Sequence, residues 1–325
     1  MKIIKYIGLG LTSLLVVTLV TGCFVIKRKL TPPPNYLEVS QAYDGIPITW
    51  SQDASSEIAA LLLPVRLPEI DRTFYMQFDL GARNTIFYGK ALRSIEQKYL
   101  TKFQRDTAYH LVDFSFHLGQ IELSAQRLKV INYGDPINDT DTSSIEIIGT
   151  IGPDLIEKKI LLLDFINDIC HFGNAIVDSA VQEQLLDFSF KYRWVFLPAE
   201  VNGKKRKLWY DTGSSAFDLL TSKSTCKKMA KPGAKTVSNE SNSWGKTLTT
   251  HTIETEGVVR FGTTELNLAS ATYVEGYSFM QGIIGRATGI GGMIGNKLFI
   301  GRQVLIDGQN RKFGIFDSDI QHAIR

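Results

Sequence analysis

Beyond residue 50 the chain alternates short apolar runs with Gly, Asn, Asp and Pro. The runs include IAALLLPVRL, TFYMQF, HLVDFSFHLGQIELS, WVFLPAEV, KLWY, GVVRFGTTELNLA and KLFIGRQVLID. Few of them sustain an apolar period near 3.6 residues, so the pattern predicts a mostly β protein. Ahead of them, the three prolines of KRKLTPPPNYLEVS predict a stiff, extended spacer without a core of its own.

The runs repeat. FHLGQIEL at 116–123 matches RFGTTEL at 260–266, with Gly119 over Gly262 and Leu123 over Leu266, an offset of 143. The same offset sets IGPDLIEKKILLLD (151–164) over IGNKLFIGRQVLID (294–307), with Gly152 over Gly295 and Asp164 over Asp307. Upstream, LPVRLPEIDRTFYMQFDLGA matches LPAEVNGKKRKLWYDTGSS, with Asp79 over Asp211 at an offset of 132. Three pairings in one order imply two homologous halves, the second longer between its acid and its middle strands.

An apolar strand ending in Asp-Thr-Gly (LWYDTGSS, 208–215), an apolar-apolar-Gly strand, and the closing MIGNKLFIGRQVLIDGQNRKFGIF resemble one lobe of a pepsin-like or retropepsin-like aspartic protease. The resemblance covers residues 55–318, and FDLGA (78–82) supplies the weaker first copy of the acid motif. It implies a bilobal fold of two homologous β lobes, residues 51–185 and 186–325, with one aspartate from each facing a cleft. It also implies an aspartic endopeptidase, a hydrolase acting on an extended peptide or protein substrate without cofactor or metal.

Such chemistry needs two carboxyl groups close enough to share a proton, so that one activates water while the other polarises the carbonyl. Asp79 and Asp211 are the catalytic candidates, and Gly81, Gly213, Thr212 and Ser214 are their loop supports. In the family, the residue after each acid carries a hydroxyl that bonds across to the opposite loop. Thr212 fits this role and Leu80 does not, which leaves open a noncatalytic peptide-binding or scaffold protein on a degenerate protease fold. Arg83 is either a solvated charge or a cleft residue favouring ionised Asp79. A substrate flap is expected in the first half near residues 100–112, with Tyr109 as its aromatic contact. SNESNSWGK (238–246) reads as an exposed loop in which Trp244 either packs locally or touches substrate. GIIGRATGIGG (282–292) reads as the strand supporting the second acid loop.

The amino terminus adds an address. A basic start, an apolar run from Tyr6 to Ile26, and VTGC at 20–23 resemble the signal peptide of a bacterial lipoprotein, cut before Cys23. The expectation is a leader over 1–22, lipid (palmitate) on Cys23, and an anchor and spacer over 23–50. The protein would then sit in the cell envelope on the periplasmic side, in the outer membrane, since Phe24 replaces the aspartate of inner-membrane retention. The alternative is an uncleaved single-pass anchor, because the run approaches the ~20 residues that span a bilayer. The 36 basic residues less the two leader lysines, Lys2 and Lys5, leave 34 basic against 33 acidic, too balanced for nucleic acid. Apolar residues make up 44% and charged residues 21%, as in a soluble globular fold, and a monomer is expected. The five histidines lack metal-ligand spacing. Cys170 and Cys226 are either a disulfide or two buried thiols, and no Gly-x-Ser-x-Gly elbow surrounds Ser214.

Overall fold

The computed structural model describes residues 28, 31–40, 44–53, 55–138, 140, 141, 143–275 and 289–325. The chain divides into residues 1–34 and a compact unit, Asn35–Arg325. Cys23 and the VTGC stretch lie outside the described residues. No described helix is long and apolar enough to cross a membrane.

The compact unit is mostly β, as the apolar pattern predicts, and its described strands form three sheets. A nine-stranded sheet takes all its strands from residues 37–151, and a seven-stranded sheet takes its own from 189–294. A six-stranded sheet draws on both halves of the repeat. At its centre Ile160–Asp164 pairs antiparallel with Gln303–Asp307, and every residue of both strands is buried. Burial on both faces explains why ILLLD and QVLID do not alternate apolar with polar.

The register of that junction follows the sequence repeat. Under the offset of 143, Ile160 corresponds to Gln303 and Asp164 to Asp307. The pairs Ile160↔Asp307 and Asp164↔Gln303 therefore exchange, while Leu162↔Leu305 is its own image. The turns beyond repeat as well. Asp164 accepts from the Ile166 and Asn167 amides and from Asn167 Nδ2, and Asp307 accepts from the Gln309 and Asn310 amides and from Asn310 Nδ2. These are the local Asx turns that aspartate favours at a strand end.

The folded unit begins earlier than expected. Leu37–Val39 adds an edge strand onto Ile121–Ile131, and Asp44–Pro47 adds one onto Ile169–Gly173, so residues 35–40 and 44–50 are part of the fold and not spacer. Edge strands need only a free backbone ladder and a few apolar side chains, which Leu37, Val39 and Ile46 supply. Cys170 and Cys226 are both free and buried, so no disulfide joins them. Burial raises both thiols, Cys226 to about 11.

Candidate active site

Each candidate acid follows a strand whose alternate side chains enter the core. Phe74, Met76 and Phe78 are buried along Thr73–Phe78, and Leu208 and Tyr210 along Lys204–Tyr210. Each acid strand also has a parallel neighbour. Phe78 lies beside Ile151 and Tyr210 beside Ile294, positions related by the two repeat offsets. The Asp79 amide donates to the Ile151 carbonyl at 3.0 Å, and the Asp211 amide donates to the Ile294 carbonyl at 2.9 Å. The support for Asp211 therefore comes from Ile290–Ile294. Of GIIGRATGIGG, residues 282–288 lie outside the described residues.

The structure brings Asp79 and Asp211 together. The two acid loops interlock so closely that a Cβ on Gly81 would collide with the Asp211 carboxylate, and one on Gly213 would lie 2.6 Å from Asp79 Cγ. Glycine at both positions is thus a condition of the approach. The Gly81 and Ala82 amides donate to Asp79 Oδ1 at 2.7 and 3.0 Å. On the other side, the Gly213 amide donates to Asp211 Oδ1 at 2.9 Å and Ser214 Oγ to Asp211 Oδ2 at 3.1 Å.

Thr212 crosses between the halves. Its fully buried hydroxyl accepts from the Leu80 amide at 2.9 Å and donates to the Phe78 carbonyl at 2.8 Å. Leu80 is also fully buried, and its side chain has no hydroxyl to return the bonds. The lower tier of the second loop is polar: Tyr210 Oη donates to Asn296 Oδ1 at 2.7 Å, and Asn296 Nδ2 donates to Ser215 Oγ at 2.8 Å. Beneath the first loop, the Thr85 amide and hydroxyl donate to Asp154 at 2.7 and 2.9 Å. Asn296 and Asp154 were not singled out from the sequence. Their signal is position, since each lies within two residues of a glycine matched by the repeat.

The acids are only 6% and 8% exposed. Burial pushes the Asp79 carboxyl well above the ordinary range, and the neighbouring Asp211 charge pushes it further, against the Ala82 and Gly81 amides. Burial raises Asp211 too, but donation from Asp79 and the Ser214 hydroxyl, and from the Gly213 amide, holds it down. Two carboxyls that close resist ionising together, so the pair titrates as a unit. Surface hollows of about 390 and 320 Å³ open beside Val237 and beside Lys159, and neither is lined by Asp79 or Asp211. The candidate site is thus marked by the paired, buried carboxyls and not by a hollow. Among the described residues no three metal-ligating side chains converge.

Tyr109 is held by residues of the first half. It lies in the turn after the two-residue strand Gln104–Arg105, donates to Glu96 Oε2 at 3.3 Å, and is flanked by the Arg93 and Arg105 guanidinium groups. Glu96 and Arg93 belong to the helix Gly89–Tyr99, so the short hairpin is pinned to the body of the first half. The long hairpin belongs to the second half. Thr236–Ser243 pairs with Lys246–Phe261 from Thr236↔Ile253 out to Ser243↔Lys246, leaving Trp244 and Gly245 as the turn. Residues 238–246 are therefore strand and tip, not loop. The Trp244 ring lies 5.7 Å from Tyr133 and 6.4 Å from Tyr88, both in the first half. Tyr88 bonds to Thr150 and is raised chiefly by burial, and the Asp79 charge also reaches it. Arg83 is half-buried, with its guanidinium over the Trp194 ring at 5.5 Å.

No family model and no curated protein matches the chain.

Proposed function

We propose that the chain is an aspartic endopeptidase with a bilobal, pepsin-like arrangement, its two lobes being the halves of the repeat. The observation that carries this reading is the interlocked pair, Asp79 and Asp211, both buried and both raised. The six-stranded sheet, symmetric about Leu162 and Leu305, supports the two-lobe arrangement.

Asp211, whose carboxylate accepts from the Gly213 amide and the Ser214 hydroxyl, takes the proton of a water placed between the carboxyls, and Asp79 gives its proton to the scissile carbonyl oxygen. The hydroxide adds to the carbonyl carbon and a tetrahedral diol forms. On collapse, the Asp211 proton passes to the leaving nitrogen, the C–N bond breaks, and a diol proton returns to Asp79. The pair ends as it began, singly protonated. The hairpin bearing Trp244 takes the place of the flap expected at Tyr109 and closes over an extended peptide from the second lobe.

Lipid on Cys23 would hold this enzyme at an envelope membrane, the outer one by the residue at Phe24. Cleavage of a denatured protein at acid pH, blocked by a transition-state-mimicking inhibitor and abolished by Asp79→Asn and by Asp211→Asn, tests the reading. A folded wild-type chain that binds peptides without cutting them would replace it with the noncatalytic binding protein that buried Leu80 favours.

A further inference from the structure

Strands Ser189–Lys191 and Trp194–Val201 are joined by a two-residue turn, Tyr192-Arg193, with Lys191 opposite Trp194. Both turn residues are left-handed, at φ 58° and 67°. Such turns favour Asn-Gly, and two bulky residues there are strained. Strain of this kind persists where the surroundings demand it, and it concentrates at functional sites.

What the turn reaches is the Asp79 loop in the other half. Arg193, 4% exposed, donates to Glu157 through Nε at 2.8 Å and Nη2 at 3.2 Å, and its Nη1 reaches the Arg83 carbonyl at 3.4 Å. Trp194 Nε1 donates to the Gly81 carbonyl at 3.3 Å while Arg83 lies over its ring. Trp194 also packs at 4.9 Å against Trp209. Trp209 lies two residues before Asp211, and so on the same strand face.

A trans peptide points its C=O and N–H in opposite directions. Holding the Gly81 carbonyl therefore aims the Ala82 N–H the other way, and that N–H donates to Asp79 Oδ1 at 3.0 Å. The first half offers no counterpart. Leu62 faces Gln77, two before Asp79, as Phe196 faces Trp209. The positions matching Arg193 and Trp194 are thus Ala59 and Ala60, which carry no donor. Leu80 removes one tie between the loops, and the strained turn supplies two others, both onto the Asp79 loop.

Resting on the protease reading above, we infer that Trp194 and Arg193 are positioning residues for Asp79, acting through the Gly81–Ala82 peptide and the Arg83 carbonyl. Trp194→Phe keeps the ring and deletes the donor, and Arg193→Lys keeps the charge and deletes the fork. Asp211 and Tyr88, which face Asp79, are unchanged in both.

The test uses the mature full chain and reads three quantities: kcat and KM at acid pH, the unfolding midpoint, and the Asp79 carboxyl titration by carbon NMR. Trp194→Phe should lower kcat about ten- to hundredfold with KM within about twofold, since misplacement of a reacting group acts on kcat. Its unfolding midpoint should hold, and the Asp79 titration should move upward as the carboxylate loses a well-aimed donor. Arg193→Lys should move kcat and titration the same way by a smaller factor. An unchanged kcat and titration in Trp194→Phe would overturn the positioning role, as would parallel collapse of kcat, KM and the unfolding midpoint. A wild-type chain that does not cleave, together with a shifted titration in the variant, would remove the protease reading and leave the positioning in place.

Discussion

Thr212→Val isolates the one hydroxyl that ties the two acid loops. Valine keeps the shape of the side chain, so packing is retained while two bonds are lost, from the Leu80 amide at 2.9 Å and to the Phe78 carbonyl at 2.8 Å. Thr212 and Leu80 are both fully buried, so water cannot replace the hydroxyl. A buried N–H left without a partner costs about 1–3 kcal/mol, and the lost donation adds about 0.5–1.5 kcal/mol, giving roughly 2–4 kcal/mol in all. Urea unfolding of the variant should therefore show a midpoint lower by about 1 M at a slope near 3 kcal/mol per M, with the slope unchanged. Cleavage should fall as well, because the same hydroxyl fixes the backbone on both sides of Asp79. A stability loss below about 0.5 kcal/mol would show that the crossing carries no weight and that the loops are held elsewhere.

Asp79→Asn should stabilise the fold at neutral pH even as it abolishes cleavage. The folded chain holds the Asp79 proton more tightly than the unfolded chain does, because the native carboxyl is raised by burial and by Asp211. That contribution is complete below the unfolded value and is lost as pH rises through the folded one. Thermal melts of variant and wild type should then coincide near pH 3 and separate by pH 7, and the reverse order would contradict the assignment. Trp244→Asn should relieve the left-handed strain at φ 51° but release the tip from Tyr88 and Tyr133, seen as faster amide exchange in residues 240–248 with unchanged global stability. Tyr109→Phe should leave kcat/KM within about twofold, since its hydroxyl meets Glu96 and not the acids. Cys23→Ser should abolish fatty-acid labelling of the chain in cells, and persistent labelling would remove the lipid anchor.

Much of the candidate site was legible in the chain because its grammar is local. An apolar strand, an acid, a residue in between and a glycine are contiguous, and duplication at offsets of 132 and 143 wrote them twice, so Asp79, Asp211, Gly81, Gly213 and Thr212 could be named before any coordinates. The same offset carried through to the register at Leu162↔Leu305. The mostly β class followed from the missing helical period. Tertiary structure decided what depends on which distant segments meet. Tyr109 could be named as the aromatic residue of a flap, but only packing shows that its hydroxyl is held by Glu96. The extra length around Trp244 was visible, yet its extension as a hairpin onto Tyr88 and Tyr133 depends on a partner surface more than a hundred residues away. Residues 35–50 read as spacer because an edge strand needs few apolar side chains, and its stability comes from the ladder it joins. The grip of Arg193 and Trp194 on the Asp79 loop left no local motif, for its acceptors are backbone carbonyls, which every residue carries whatever its side chain.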